Sequence, residues 1–400
     1  MQNNFSRVLP RKSIFQGIFC LVPGLVLFSV GCGGGHASSG ETASGRVELL
    51  KDGARSINVT AVSADGSVIA GDTGNESRAI RWTLFGQVQE LKSLNEARVF
   101  PVAISADGSV ITGNVNDESS GKHSPFRWSV SEGMQNLEMP GVKETNATAL
   151  SADGSTIVGS SQSAAGPTRA FRWTKASGLQ SLDTGSGSSA KATSVSADGS
   201  TTIGYLYRSG LEQACFWTGG AGVQEIPMPD VTWTSQALHV SKDGSVIAGL
   251  ASNSDGIWRI FRWTRSGGTR ILDGFDEKNA YSHSMSADGK VIVGEVRISD
   301  TKPEAFRWTE SGGVEKLGTL GADRSVAQAV SADGSTIIGD TSDSIGTQTF
   351  RWTRSGGMQK IELPVAGFNN RAQAVSSDGS IVFGVLTISG NEYQAFRWTK

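Results

Sequence analysis

The chain has 400 residues, with 36 Lys plus Arg set against 38 Asp plus Glu and a formal net charge of −2. Such a balance offers no basic face to a phosphate backbone and argues against nucleic acid as a partner. Glycine, at 51 residues, is about twice its ordinary share, which suits a turn-dense all-β protein, and three cysteines are too few for a disulfide framework.

Residues 1–31 read as an export signal. Arg7, Arg11 and Lys12 make a basic start, and the stretch from Ile14 to Gly31 is mostly apolar, interrupted by Gln16 and Pro23. Its short, broken apolar run tells against a spanning helix. It ends Ser29-Val30-Gly31-Cys32. This resembles a bacterial lipobox, whose cysteine is lipidated and becomes the new N-terminus. Ser29 departs from that pattern, which usually has Leu there. The plainer reading is an ordinary secretory signal cleaved nearby. The resemblance implies a lipoprotein of the bacterial cell envelope, held to a membrane through Cys32 and either periplasmic or surface-exposed. Cys20 would leave with the signal, so the mature chain keeps Cys32 and Cys215. Residues 32–44, rich in Gly and Ser, read as a flexible tether with a reach of roughly 20 Å.

From residue 45 onward one pattern recurs eight times, and a repeat of this kind decides the fold. The Asp of an S-x-D-G motif stands at Asp65, Asp107, Asp153, Asp198, Asp243, Asp288, Asp333 and Asp378. The Trp of an F-R-W motif stands at Trp82, Trp128, Trp173, Trp217, Trp263, Trp308, Trp352 and Trp398. Each Trp lies 25 or 26 residues before the next Asp, whereas the Asp-to-Trp interval varies from 17 to 21. Insertions are thus confined to one gap in mid-repeat.

Four short strands are predicted per repeat. The first is A-x-A-V-S, followed by Asp-Gly, a strong hairpin signal. The second is S-T-I-I-G, apolar and ended by glycine in every copy. The variable gap comes next, then T-F-R-W-T at period two, an S-G-G turn, and M-Q-K-I-E-L. A four-stranded antiparallel unit of about 40–45 residues is the size of a propeller blade. The last copy stops at Lys400 without a fourth strand, and Arg46-Val-Glu-Leu-Leu50 supplies a spare one. The expected fold is therefore an all-β, eight-bladed β-propeller over residues 45–400, closed by the N-terminal strand completing the last blade.

Motifs such as S-A-D-G-S-T-I-I-G and F-R-W-T-R-S-G-G-M-Q-K-I resemble those of the HAF-repeat family of bacterial extracellular proteins, over residues 59–400. The resemblance implies an exported propeller-like domain. It carries no catalytic residues.

Candidate chemistry is sparse. The motif Asp could suggest calcium, but one carboxylate followed by glycine falls short of six to eight oxygens. An Asx turn is the expected role, and no metal or cofactor is expected. The Arg between Phe and Trp (Arg81, Arg127, Arg172, Arg262, Arg307, Arg351, Arg397, with Phe216 in the fourth copy) could line an anion channel. It is expected instead to pair with a motif Asp or to stack on an aromatic of the adjoining blade. Cys215 stands where other copies have Phe and reads as a small buried apolar residue. Four histidines, His36, His123, His239 and His283, complete no known catalytic motif.

Differences between copies are more telling. In an antiparallel blade the constant D-G-S and S-G-G turns share one face. The variable gaps and inter-blade connections share the other, where loops on a rigid scaffold carry function. Aromatics on that second face cluster in copies four to six: Tyr205, Tyr207, Trp233, Trp258, Phe275 and Tyr281. An exposed aromatic patch marks a partner or ligand surface, although single exposed aromatics are ordinary. The reading is a monomeric binding or scaffold module for a protein or polysaccharide on the variable face. Alternatives are a glycan lyase or hydrolase, which would need paired carboxylates drawn from residues such as Glu295, Asp300, Glu304 and Asp340, and a structural surface-coat protein.

Overall fold

The computed structural model describes residues 43, 45–50 and 56–400, except for short stretches at 75–77, 85, 87, 93–96, 140, 143, 163–165, 186–187, 220, 277, 300–301, 365–368 and 390–391. The signal, most of the tether with Cys32, and Asp300 lie outside the described residues. Every regular element among the described residues is a β-strand.

Hydrogen bonding groups the strands in fours, with the four in chain order within each repeat. The second and third repeats are joined in addition by a single parallel bridge, Glu144 to His123. In the seventh repeat the strands are Arg324–Val330, Thr336–Ser342, Thr347–Thr353 and Gly357–Lys360. In the eighth, Asn370–Val375, Ile381–Ser389 and Glu392–Thr399 are completed from the other end of the chain. Arg46–Leu50 pairs antiparallel with the last strand, from Arg46 opposite Thr399 to Leu50 opposite Ala395.

The apolar residues of each repeat bury against the next repeat, so the core is a series of layers between sheets. Leu137 of the second repeat packs with Ala147, Ile157, Phe171 and Trp173 of the third. Ile338 and Ile361 of the seventh pack with Val382, Leu386, Phe396 and Trp398 of the eighth. Leu50, Ile57 and Trp82 pack with Ile381 and Phe383. This explains the near-continuous apolar second strand, which touches a neighbour on both faces. Fourth strands are shorter than the sequence suggests, down to Gln224–Glu225 in the fourth repeat. They are outer edges, and short edges resist unwanted pairing.

Two local expectations are corrected. The glycine of the second strand does not end it: Gly339 lies inside Thr336–Ser342. Its role comes from a bulge in the first strand, which recurs in every repeat, as between Ala327 and Ala329. The bulge turns a carbonyl toward the facing glycine. A Cβ on Gly339 would lie 2.0 Å from the oxygen of Val326, and the other seven copies place the same carbonyl at 1.9–2.2 Å. The Asp-Gly turn is also not a two-residue hairpin. Ser63 N–H donates to the carbonyl of Val68, and Gly66 N–H to that of Ser63, at 2.9 Å each. Four residues therefore form the loop, with only Gly66 at positive φ, +70°.

These loops also link the repeats to one another. Ala64 N–H donates to Ala106 O, Ala106 to Ala152, Asp153 to Ala197, Ala197 to Lys242, Lys242 to Ala287, Ala287 to Ala332 and Ala332 to Ser377. Ser377 N–H then donates to Ala64 O at 2.8 Å. The series runs from each repeat to the next and from the eighth to the first.

Candidate binding surfaces

On the constant face every motif Asp makes the same turn. Its Oδ1 accepts from the hydroxyl of the Ser two residues before, at 2.5–2.7 Å. It also accepts from the N–H two residues on, at 2.9–3.0 Å. These donors hold the carboxylate below its ordinary pKa. For Asp198 the Ser196 hydroxyl contributes most, followed by the Ser200 N–H, and the value falls to about 2. Together the loops rim an open basin of about 980 Å³, whose lining includes Asp153, Asp198, Asp243, Asp288, Asp333 and Lys242. No group of three His, Cys, Asp or Glu side chains among the described residues is arranged to hold a metal ion.

The motif arginines are seam residues. The guanidinium carbons of Arg81, Arg127, Arg307 and Arg351 sit 5.9, 5.8, 5.5 and 5.3 Å from the ring centres of Trp128, Trp173, Trp352 and Trp398, each in the following repeat. Three of the motif arginines donate to the loop glycine of the following repeat rather than to its Asp, whereas Arg127 reaches Glu132 and Arg351 reaches Thr336 Oγ1 within their own repeats. Arg81 Nε donates to Gly108 O at 3.3 Å, Arg172 Nη2 to Gly199 O at 3.3 Å, and Arg262 Nε to Gly289 O at 3.1 Å. In the fourth repeat Phe216 takes the same place and packs on Trp263 at 4.9 Å. Cys215 is fully buried, and desolvation raises its thiol well above the usual range, which makes it an inert packing group.

On the variable face the six aromatics fall into three groups. Tyr205 and Tyr207 meet edge-on at 5.6 Å. Tyr207 is 37% exposed and shields Tyr205, which is 8% exposed. Burial, and then the charge of Glu212, raise Tyr205 to about 12. Tyr207 is raised too, by desolvation and by its hydrogen bond to Glu212. Gln236 Nε2 also donates to Glu212. Both phenols therefore stay protonated at neutral pH and serve as donors.

Trp233 is half-buried against the layer between the fourth and fifth repeats. Arg259 stacks over it at 5.6 Å and is tied to Asp255. Trp258, Phe275 and Tyr281 share the next layer. Phe275 is buried, edge-on to Phe306 at 5.0 Å, so it is a packing residue and not part of any open surface. Tyr281 is half-buried under Arg297, at 4.8 Å. Arg259, next to Trp258 in the chain and over Trp233 in space, bridges the second group and the third.

Sequence reasoning passed over Val231, an apolar residue in the polar connection Asp230–Thr232. It is 85% exposed beside Trp233. Among the candidate acids, Glu295 is paired with Arg297 at 3.1 Å and Glu304 with Lys316 at 3.4 Å. Asp340 is buried at the junction of the seventh and eighth repeats. Each is engaged by a partner of its own.

Neither a family model nor a curated relative matches the chain. Solved structures do. A prolyl endopeptidase aligns with TM-score 0.56 and 16% identity over 86% of this chain and 55% of that one. A dipeptidyl peptidase 4 of Porphyromonas gingivalis aligns with TM-score 0.55 and 14% identity over 83% and 56%. The β-propeller domain of the trilobed protease of Pyrococcus furiosus aligns with TM-score 0.50 and 10% identity over 77% and 98%. The fold is a β-propeller. At such identities the likeness extends to the propeller alone, and the chain spans little more than half the length of either peptidase.

Proposed function

We propose that the eight four-stranded units form a closed propeller, fastened by the pairing of Arg46–Leu50 with the last strand, and that it acts as an exported binding module. Its ligand is a protein or a polysaccharide, taken on the variable face around Tyr207, Val231 and Trp233. The observation that carries the reading is the exposure of these side chains on the face where the repeats differ, while the opposite face is occupied by near-identical turns. A part-exposed tyrosine ring, an open valine and a half-open tryptophan suit a partner that offers apolar faces. Export and attachment through a lipid on Cys32 are part of the same proposal and rest on the sequence of residues 1–32. Cys32→Ala should abolish acyl labelling and release the protein from membranes.

The test of binding is a glycan array together with an envelope lysate, probed with the wild type and with Tyr207→Ala and Val231→Ser. Retention of a common ligand by the wild type and its loss at least tenfold in both variants supports the site. Equal retention by all three places binding elsewhere.

A further inference from the structure

In the second and seventh repeats the residue after the second-strand glycine reaches the first strand of the next repeat. In the second repeat it is Asn114, whose amide grips Ala147 of the third repeat from both sides. Ala147 N–H donates to Oδ1 at 2.8 Å, and Nδ2 donates to Ala147 O at 3.2 Å. Other seams reach the same pre-bulge residue with other neutral groups. Thr148 Oγ1 donates to Ala192 O at 2.9 Å, Thr193 Oγ1 to Ala237 O at 2.6 Å, and His239 Nε2 meets Ser282 O at 3.3 Å. From the eighth repeat to the first, Val59 N–H donates to Gln373 Oε1 at 3.1 Å.

The seventh repeat places a carboxyl where the second has its amide. Asp340 is 7% exposed, and its Oδ1 accepts from Ala372 N–H at 2.8 Å. An amide serves both the N–H and the carbonyl of the residue it faces, whereas a carboxylate serves only the N–H. A carboxylic acid regains the missing donor. The surroundings favour that form. The groups facing Asp340 are the Thr349 hydroxyl at 3.5 Å, the Gln328 side chain and one charge, Arg371. Desolvation outweighs them and pushes the carboxyl up to about 7.

We propose that Asp340 is a proton-operated latch on the seam between the seventh and eighth repeats. Protonated, it holds Ala372 as Asn114 holds Ala147. Ionised, it leaves a desolvated charge in the seam and loosens it. The location matters because the eighth repeat is the one whose fourth strand, Arg46–Leu50, comes from the far end of the chain. A loosened seam there acts on the one sheet built from both ends. A mildly acidic compartment would tighten the ring and an alkaline one would relax it.

The test is amide hydrogen exchange on the full chain at about pH 5 and about pH 8, corrected for intrinsic rates, comparing residues 370–375 with residues 145–150 as the built-in control. Protection at 370–375 should fall by about tenfold or more between the two conditions, while 145–150 stays level. In Asp340→Asn the fall should disappear, with protection at both pH values equal to that of the wild type in acid. Level protection at 370–375 in the wild type overturns the proposal whatever the variant does. So does an undiminished fall in a folded Asp340→Asn.

Discussion

Replacing Gly339 by alanine places a methyl group 2.0 Å from the carbonyl oxygen of Val326 and 2.7 Å from the ring of Phe350. Carbon atoms rest at about 3.5–4.0 Å, and carbon–oxygen contacts at about 3.3–3.6 Å. The two strands would have to part by more than about 1 Å on a ladder spaced about 4.8 Å, and Phe350, fully buried, would have to retreat as well. Overpacking of a tight core costs about 1–3 kcal/mol, occasionally more. A clash with backbone on one side and a buried ring on the other belongs at or above the top of that range. The entropic gain of a Gly-to-Ala change, about 0.4–1 kcal/mol, offsets only part of it. The expected net loss is about 2–3 kcal/mol or more. Gly133→Ala is the control. Its φ is +70°, but a Cβ there meets nothing within 4 Å, so only the left-handed backbone penalty of about 1–2 kcal/mol applies, less the same entropic gain. Urea denaturation followed by tryptophan fluorescence separates the two. A midpoint shift for Gly339→Ala no larger than that for Gly133→Ala would refute the account of the recurrent glycine.

Trp308, 2% exposed, should cost about 3–5 kcal/mol on truncation to Ala, while Val231→Ser should stay within about 0.5 kcal/mol of wild type; thermal denaturation distinguishes them, and a large loss at Val231 would mean it is packing. Desolvation depresses His239 to about 4, so the folded state takes up fewer protons than the unfolded chain and stability declines as pH falls from about 6.5 to about 4. His239→Gln, which keeps a donor for Ser282 O, should flatten that part of the pH–stability curve. The motif carboxylates, also depressed, hold their contribution above the unfolded value and lose it as pH falls below about 4, Asp198 toward about 2, so a step in acid unfolding below about pH 4 should survive in His239→Gln. Deleting residues 45–50 should leave the last strand unpaired and promote aggregation, measured by light scattering of the purified protein.

How much was legible beforehand follows from which features repeat. The Asp and Trp motifs recur at near-constant spacing because the Asp fixes each turn and the Trp packs in a seam, and the spare strand at Arg46–Leu50 could be matched to the copy that lacked one. The first-strand bulge was not legible, since no residue type marks it, and the glycine opposite it was read as a strand terminator. Burial of the variable-face aromatics was not legible either, and Tyr205, Tyr207 and Tyr281, expected in loops, lie in the strands Thr201–Arg208 and Ala280–Met285. Phe275 and Tyr207 stand in similar polar contexts, yet one is buried against Phe306 and the other stands over Tyr205. Which of these happens depends on the side of the sheet the chain presents as it leaves the strand, a matter of one residue in register. Asp340 was visible only as a carboxylate in a variable segment. Its meaning came from comparing it in space with Asn114.

The pairing of Arg46–Leu50 with Glu392–Thr399 also sets an order of events. About 345 residues separate Leu50 from its partner Ala395. At about 5–20 residues per second, synthesis leaves the first strand waiting roughly 20–70 s before that partner exists. Seven units can stack during that interval, each on its predecessor, but the eighth sheet cannot be completed until both ends are present. Until then an unpaired apolar strand and the open side of the growing stack coexist. A passage that keeps the chain extended until its C-terminus is made would remove the wait altogether.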